Sequence, residues 1–224
     1  MRFDIITIFP QMFGPYLNES ILKRAQEKKL ISIRIHNLRD FTRNKHKKVD
    51  DRPYGGGPGM VISVEPFARA LKKILRGTKH NTQNKKQTQI ILFSASGKQF
   101  TSKMASGWAK KYDRIIMIAG RYEGVDERIS KVLQATSYKL QAISIGPYVL
   151  TGGELPALVV IDAVSRHIPG VLGREESLEE LRHGVGVATY TRPEVFPWEG
   201  RTYRVPKILL SGDQKKIAAW RAKK

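Results

Sequence analysis

The chain has 224 residues, of which 41% are hydrophobic and none is cysteine, and its formal net charge is +20. The hydrophobic content is ordinary for a globular protein and excludes disorder as the main state. The missing cysteines exclude disulfides, cysteine zinc sites and a thiol nucleophile. The N-terminal sequence MRFDIITIFP lacks the layout of a signal peptide, and no apolar run approaches the length of a membrane span. The sequence therefore predicts a cytoplasmic protein.

Positive charge is concentrated in two stretches of the chain. Residues 66–112 contain eleven Lys and Arg and no Asp or Glu, and residues 23–48 form a second basic run. A polyanionic partner is the natural expectation, and nucleic acid is the commonest one. A basic surface without a partner is the alternative reading.

Short β-branched segments alternate with helical patterns along the chain. Strands are predicted, in chain order, at 3–9, 31–38, 89–95, 113–120 and 140–146. Helices are predicted at 11–28, 64–76, 101–112, 125–135 and 153–167. The last three strands are apolar on nearly all positions, as strands buried on both faces are. The alternation predicts an α/β fold with a mostly parallel sheet flanked by helices.

A glycine-bearing loop follows each of these three apolar strands. The loops are SASG at 94–97, GRYEGVDER at 120–128 and IGPYVLTGGELP at 145–156. Ligands of open α/β sheets bind beyond the carboxyl ends of the strands, and glycines there let a ligand approach the backbone. One such loop alone is more simply a structural turn, but three together favour a ligand site.

The common ligand motifs are missing from these loops. No glycine segment carries the lysine and hydroxyl of a phosphate-binding P-loop, and no G-x-G-x-x-G follows the first strand. The five histidines are scattered without metal-ligand spacing, which makes a zinc site improbable. The segment KVDDRPYGGGPGM at 48–60 combines charges with four glycines, and by itself it also fits a flexible surface loop.

Five composite segments carry a resemblance that covers essentially the whole chain. They are FDIITIFPQMF, KHKKVDDRPYGGGPGM, AGRYEGVDER, IGPYVLTGGELPALVVIDAVSRHIPGVLG and YTRPEVF. Their order resembles that of the bacterial tRNA (guanine-N1)-methyltransferases. The resemblance implies a homodimeric, SPOUT-class enzyme that uses S-adenosylmethionine (AdoMet) to methylate N1 of guanosine 37, directly 3′ of the anticodon in tRNA. It also implies a deep trefoil knot, which pattern alone would never predict because chains almost never thread through themselves.

The same resemblance divides the chain into domains. It implies a knotted AdoMet-binding domain at 1–168, an interdomain linker at 169–187 and a small helical tRNA-binding domain at 188–224. The family commonly continues beyond the tryptophan and arginine near Trp220, so we expect an abbreviated C-terminal domain here.

The AdoMet pocket implied by the family is formed by the three glycine loops. One departure is Ala95, since the family usually has proline after the serine of the first loop. Carried over by motif, the cofactor-binding residues are Leu92, Phe93, Ser94, Gly97, Gly120, Tyr122, Glu123, Gly124, Ile145, Gly146, Pro147, Tyr148, Val149, Leu150, Gly152, Gly153 and Pro156.

Methylation of guanine N1 requires a general base, because N1 carries a proton at neutral pH, and a cation to stabilise charge developing towards O6. The family's arginine matches Arg166. The family's catalytic aspartate has no match; aligning the segment on Gly184 puts Glu179 at its position, with the adjacent Glu180 as the second candidate.

The sulfonium group of AdoMet is already an activated methyl donor, so no metal is chemically required. Mg²⁺ is associated with the family, but the sequence does not locate an ion.

The segment at 48–60 is interpreted through the resemblance as the wall of a guanine pocket. Its glycines leave space for a flipped base and its charges orient that base. We expect the tRNA to contact Asp50, Arg52, Gly57, Gly59 and Arg192. Two alternatives remain open: a sister methyltransferase acting on ribosomal RNA, and an RNA-binding protein of this fold with impaired catalysis.

Overall fold

The computed structural model describes residues 1–76, 87–136, 138–173, 178 and 186–222. The chain divides into two compact units, Met1–Leu172 and Gly173–Lys224. Among the described residues, no helix has both the length and the apolar character needed to cross a membrane.

A five-stranded sheet forms the centre of the first unit. The strands of this unit are β1 (Arg2–Thr7), β2 (Ser32–Asn37), β3 (Asp50–Asp51), β4 (Val61–Ile62), β5 (Gln87–Gln99), β6 (Tyr112–Ile118) and β7 (Leu140–Ser144). The sheet has the order β2-β1-β6-β5-β7, and each neighbouring pair is parallel. β3 and β4 form a separate antiparallel pair. The predicted parallel α/β sheet is confirmed.

Helices flank this sheet, and most of them match the predicted segments. They are α1 (Gly14–Leu17), α2 (Ser20–Glu27), α3 (Val64–Leu75), α4 (Ser102–Lys111), α5 (Arg128–Gln134) and α6 (Glu154–Ser165). The prediction of one continuous helix at 11–28 is wrong. Its first part is a short 3₁₀ turn, and Ser20 has a φ of +49°, a left-handed conformation through which a helix does not run.

Two apolar cores lie on the two faces of the sheet. Adjacent residues in the central strands alternate between them: Ile91 and Met117 belong to one core, Ile90 and Ile116 to the other. Helices α4 and α6 contribute to the first core, and α3 and α5 to the second. This arrangement explains why the sequences of β5 and β6 are apolar without alternation.

A charged cluster lies within the sheet at Asp4 of β1, whose side chain is fully buried. Arg114 and Arg2 donate hydrogen bonds to its carboxylate at 2.7 and 2.6 Å, and His36 Nε2 lies 2.7 Å from it. Burial by itself raises the pKa of Asp4, but the hydrogen bonds from His36, Arg2 and Arg114 outweigh it and hold that pKa well below its usual range. The folded state gains stability from these hydrogen bonds at pH values above the ordinary aspartate pKa. That stability is lost as the pH falls through the lowered pKa of Asp4.

The second unit contains a β-hairpin as well as helices. Strands β8 (Val195–Trp198) and β9 (Arg201–Arg204) pair antiparallel, and helices α7 (Lys207–Leu210) and α8 (Gln214–Ala222) follow. Glu199 and Gly200, which form the turn, both have positive φ, at +47° and +72°, as the favoured two-residue hairpin turn requires. The expected helical unit is therefore only partly correct, since its first half is a hairpin.

Candidate functional site

A cavity of about 270 Å³ opens beyond the carboxyl ends of β6 and β7, beside an irregular segment within β5. All three predicted glycine loops contribute to its wall. Its lining residues are Leu92, Phe93, Ser94, Ala95, Gly120, Arg121, Tyr122, Glu123, Gly124, Val125, Glu127, Ile143, Ser144, Ile145, Gly146, Tyr148, Val149, Leu150, Thr151, Gly152, Gly153 and Pro156.

The first loop is a bulge within β5. Phe93 and Lys98 both pair opposite Ile143 of β7, so the four residues between them leave the ladder and return. At Gly97 a Cβ would lie 2.6 Å from the backbone nitrogen of Ile143, which is closer than real Cβ contacts come. Glycine is required here because one backbone segment passes directly against another.

The second and third loops meet in the same way. Gly153 donates a hydrogen bond from its backbone N–H to the carbonyl of Gly120 at 2.9 Å. A Cβ on Gly153 would lie 2.6 Å from Cα of Ala119. The loop after β6 and the start of α6 are therefore in direct backbone contact, which fixes the width of the cavity between them.

A buried ion pair links these loops to the first strand. Glu154, which is 1% exposed, accepts hydrogen bonds from Arg121 Nε at 2.8 Å and from Thr7 Oγ1 at 2.7 Å. Arg121 also donates to the carbonyl of Thr151 at 3.2 Å and lies over the ring of Phe9. One carboxylate thus holds β1, the second loop and the third loop in fixed positions.

Most of the predicted cofactor residues meet in this cavity. Every one of them lines it except Gly97, which lies behind it against β7, and Pro147, which is exposed beside it. The sequence interpretation did not include seven lining residues: Ala95, Arg121, Val125, Glu127, Ile143, Ser144 and Thr151. Arg121, Glu127 and Thr151 lie inside the segments GRYEGVDER and TGGELP, so the motifs themselves pointed to them.

The predicted guanine-pocket segment lies next to the cavity. Gly59 lies against the side chain of Glu123, a cavity residue, and the backbone N–H of Glu123 donates to the carbonyl of Met60 at 3.0 Å. Gly57 has open space around it and a φ of +106°. Asp50 pairs with Ile62 in the β3–β4 ladder, and Arg52 is exposed.

Of the two predicted catalytic residues, Arg166 is in the described part of the chain, and it does not line the cavity. Arg166 follows α6, whereas Pro156 in the first turn of α6 lines the cavity. Ten residues of helix separate these positions by roughly 15 Å along the axis. Glu179 and Glu180 lie outside the described residues. Arg192 belongs to the second unit, where it lines a separate groove with Tyr190 and Glu194.

The described part of the chain offers no metal site built from acidic residues and histidines. No group of three or more of them has a spacing that could hold a metal ion there. Within the cavity wall, the charged side chains are Glu123, Glu127 and Arg121, and Arg121 is paired with Glu154.

Comparison with known proteins assigns the chain to a family. The family model for tRNA (guanine-1)-methyltransferase TrmD matches residues 1–224. Three similar proteins are each named tRNA (guanine-N(1)-)-methyltransferase. The protein of Thermomicrobium roseum is 50% identical over 99% of this chain and 77% of its own length. The protein of Clostridioides difficile is 49% identical over 99% of this chain and 90% of its own length. The protein of Dictyoglomus turgidum is 47% identical over 100% of this chain and 84% of its own length. The chain therefore belongs to the tRNA (guanine-1)-methyltransferase family.

Proposed function

We propose that this protein transfers the methyl group of AdoMet to N1 of guanosine 37 in tRNA. The observation that carries the proposal is the cavity at the carboxyl edge of the sheet. Three glycine loops form it, and it lies in a chain whose relatives are named for this reaction.

The residues of the cavity fit AdoMet in charge and in shape. The cofactor supplies an activated methyl group on a positively charged sulfur. Glu123 and Glu127 add negative charge to the wall, whereas the charge of Arg121 is offset by Glu154. Gly146 lets the ring of Tyr148 lie directly against the backbone of the cavity wall, because a Cβ there would overlap that ring. Backbone groups and small residues hold the cofactor in this scheme, and Glu123 and Glu127 attract its cationic part.

A trefoil knot accounts for the close backbone approaches around the cavity. The chain leaves and rejoins the ladder between Phe93 and Lys98, and Gly97 and Gly153 each lie against a backbone segment distant in sequence. Such approaches are what a threaded crossing requires, since a side chain at either position would hold the strands apart. The proposed knotted domain comprises residues 1–168, followed by the linker at 169–187 and a tRNA-binding domain at 188–224.

The target guanine enters beside the cavity, against residues 50–60. Gly57 and Gly59 leave space for a flipped base, and Gly59 lies against the Glu123 side chain at the cavity wall. Asp50 and Arg52 orient the base or its phosphate. In this arrangement the guanine ring stands next to the methyl donor, which lowers the entropic cost of bringing them together.

Proton removal from N1 and charge stabilisation at O6 require Glu179 and Arg166. Arg166 lies at the far end of α6 from the cavity of its own chain, so in a single chain it cannot reach the reacting atoms. In a homodimer the arginine of one subunit serves the cavity of the other. Each active site then combines both subunits.

The exposed face of α6 supports this dimer. Leu155 and Val159 are 55% and 40% exposed, and with Asp162 and Arg166 they follow the i, i+4, i+7, i+11 spacing of one helical stripe. Tyr16 of α1 donates to Asp162 at 2.6 Å and widens the face. Two such faces packed antiparallel about a two-fold axis put the Arg166 end of one α6 beside the cavity end of the other.

Methyl transfer from AdoMet to unmodified tRNA is the direct test, with the product nucleoside identified after digestion. We expect N1-methylguanosine at position 37 and none when that position is adenosine. Glu179→Gln keeps the shape of the side chain but accepts no proton, so turnover should fall by about two to four orders of magnitude. Arg166→Ala should cost on the order of a hundredfold.

Two control variants accompany this assay. Glu179→Asp restores the family's residue type and should stay active, and Glu180→Gln should change turnover little. If Glu180→Gln is inactive and Glu179→Gln is not, the assignment of the base is wrong. tRNA binding without any methyl transfer would favour the alternative of an RNA-binding protein with impaired catalysis.

A mixed-subunit assay tests the shared active site. Gly146→Val blocks the cofactor, Arg166→Ala removes the cation, and each homodimer alone should be nearly inactive. After subunit exchange, half of the dimers contain one intact site each, so activity should return to about a quarter of the wild-type value. A mixture that stays as inactive as its components would place the whole site within one subunit.

A further inference from the structure

The hairpin β8–β9 exposes aromatic side chains. Phe196, Trp198 and Tyr203 are 50%, 57% and 52% exposed. The rings of Phe196 and Trp198 are stacked, with centroids 6.0 Å apart and planes inclined by 14°. Clustered large apolar groups at a surface mark an interaction site rather than a random exposure.

The strand register puts these rings on one face of the hairpin. Phe196 and Trp198 are two residues apart on β8, so they point to the same side. Their cross-strand partners are Tyr203 and Arg201 respectively. We call the surface formed by Phe196, Trp198, Tyr203 and Arg201 the aromatic face. It presents three ring surfaces and one guanidinium to solvent.

Exposed charged residues lie close to the aromatic face in sequence. They are the cations Arg192, Arg204 and Lys207 and the acidic residues Glu194 and Glu199, with Arg204 on the opposite side of the hairpin because it pairs with Val195. A protein partner that binds through apolar contacts alone would gain nothing from these cations. Unpaired nucleotides use both features, because each base stacks on a ring and each phosphate pairs with a cation.

We propose that the aromatic face stacks on unpaired nucleotides of the RNA substrate and thereby holds it on the second unit. The proposal rests on the proposed function only for the identity of that RNA as a tRNA. It adds Phe196, Trp198, Tyr203 and Arg201 to the RNA-binding residues. Stacking accepts any base, so this face contributes affinity, and the selection of guanosine 37 stays with the proposed guanine site at residues 50–60.

The test measures the affinity of the full-length chain for unmodified tRNA over a series of salt concentrations. Trp198→Ala should weaken binding roughly tenfold, as expected for loss of one stacked base. Its salt dependence should match that of the wild type because no charge is lost. Trp198→Phe keeps a ring and should bind within about threefold of the wild type. Val132→Ala removes an exposed apolar group in the first unit and should change nothing.

Arg201→Ala gives the complementary result. It should weaken binding and reduce the slope of log affinity against log salt by about one, as expected for one lost phosphate contact. A short RNA without pairing capacity should compete with tRNA for the wild type, and a fully paired duplex of equal length should compete less well. Trp198→Ala should lose this preference for the unpaired competitor.

Two outcomes would overturn the proposal. Wild-type tRNA affinity in Trp198→Ala would assign the face to a partner other than RNA. Weakened binding of S-adenosylhomocysteine in Trp198→Ala, together with weakened tRNA binding, would show a general structural role. Failure of the proposed function is distinguishable, because it appears as absent methyl transfer by the wild type whatever the effect of Trp198→Ala on RNA affinity.

Discussion

Glycine serves two different purposes in the two regions around the cavity. In the loops that form the cavity, a Cβ on Gly97 or Gly153 would lie 2.6 Å from the backbone of a distant segment. In the loop at 55–57, no atom lies within 4 Å of the position that a Cβ would take, but all three glycines have φ between +80° and +106°. The first region requires glycine for space, and the second requires it for backbone conformation.

Under the proposed function, this difference in the use of glycine separates the binding regions of the two substrates. Backbone contacts and the buried Arg121–Glu154 pair hold the loops of the cavity in place. Under the proposed function, this preformed cavity binds the cofactor without RNA. The open loop has exposed residues and few contacts of its own; Tyr54, for example, is 99% exposed. Such a loop suits a substrate that arrives later and needs room. Substitution of single glycines in the two regions tests this division.

Gly153→Ala should have the largest effect. The added Cβ meets Cα of Ala119, and backbone cannot move aside as a side chain can. We expect a loss of about 3 kcal/mol in the free energy of unfolding, at the upper end of overpacking effects, and no measurable methyl transfer. Thermal unfolding and the transfer assay measure the two effects.

Gly107→Ala is the matched control for this substitution. Gly107 lies in α4, and a Cβ there would meet nothing within 4 Å. Alanine is the better helix former, so this variant should gain about 0.5–1 kcal/mol of stability. Equal destabilisation of the two variants would contradict the argument from backbone contact.

Gly59→Ala should have an intermediate effect on stability and activity, because Gly59 lies between the loop at 55–57 and the cavity wall at Glu123. Its Cβ would overlap the carboxylate end of Glu123, which can rotate away, and its φ of +86° adds backbone strain of about 1–3 kcal/mol. Moving Glu123 disturbs the cavity wall, so we expect roughly tenfold weaker S-adenosylhomocysteine binding and a larger loss in kcat/KM for tRNA. Unchanged cofactor affinity would show that Glu123 is not held by this contact.

Gly57→Ala should have the smallest effect. Its Cβ meets nothing, and the only cost is the strain of a φ of +106° in an exposed loop. We expect a loss of about 1 kcal/mol in the free energy of unfolding, at the low end of such strain because an exposed loop can relax, and a decrease of at most about tenfold in kcat/KM for tRNA. Steady-state kinetics with tRNA varied at saturating AdoMet measure this effect. A loss of global stability as large as that of Gly153→Ala would remove the distinction between the regions.

Much of the fold followed from the sequence because its signals are local. The apolar runs that became β5, β6 and β7 predicted buried parallel strands, and the loops after them predicted the cavity. The break between α1 and α2 was not predictable, since it depends on the left-handed φ of Ser20 in a segment with helical periodicity. The hairpin was missed because Pro197 lies inside β8, and a proline usually argues against a strand.

The site was predictable to the extent that its motifs are contiguous. Resemblance supplied most of the lining residues, but the predicted Gly97 lies behind the cavity, where its backbone packs against Ile143. The pairing of Arg121 with Glu154 joins residues 33 positions apart, and only the tertiary structure brings them together. The separation of Arg166 from the cavity is likewise a property of the folded helix.

Calorimetric titration of S-adenosylhomocysteine in the absence of RNA tests the central claim most directly. The wild type and Gly57→Ala should bind the ligand with the same affinity, and Gly153→Ala should show no binding. Absence of binding by the wild type at millimolar ligand would contradict a cavity formed before RNA arrives. Equal loss of binding in Gly57→Ala and Gly153→Ala would contradict the division of the two glycine regions between the two substrates.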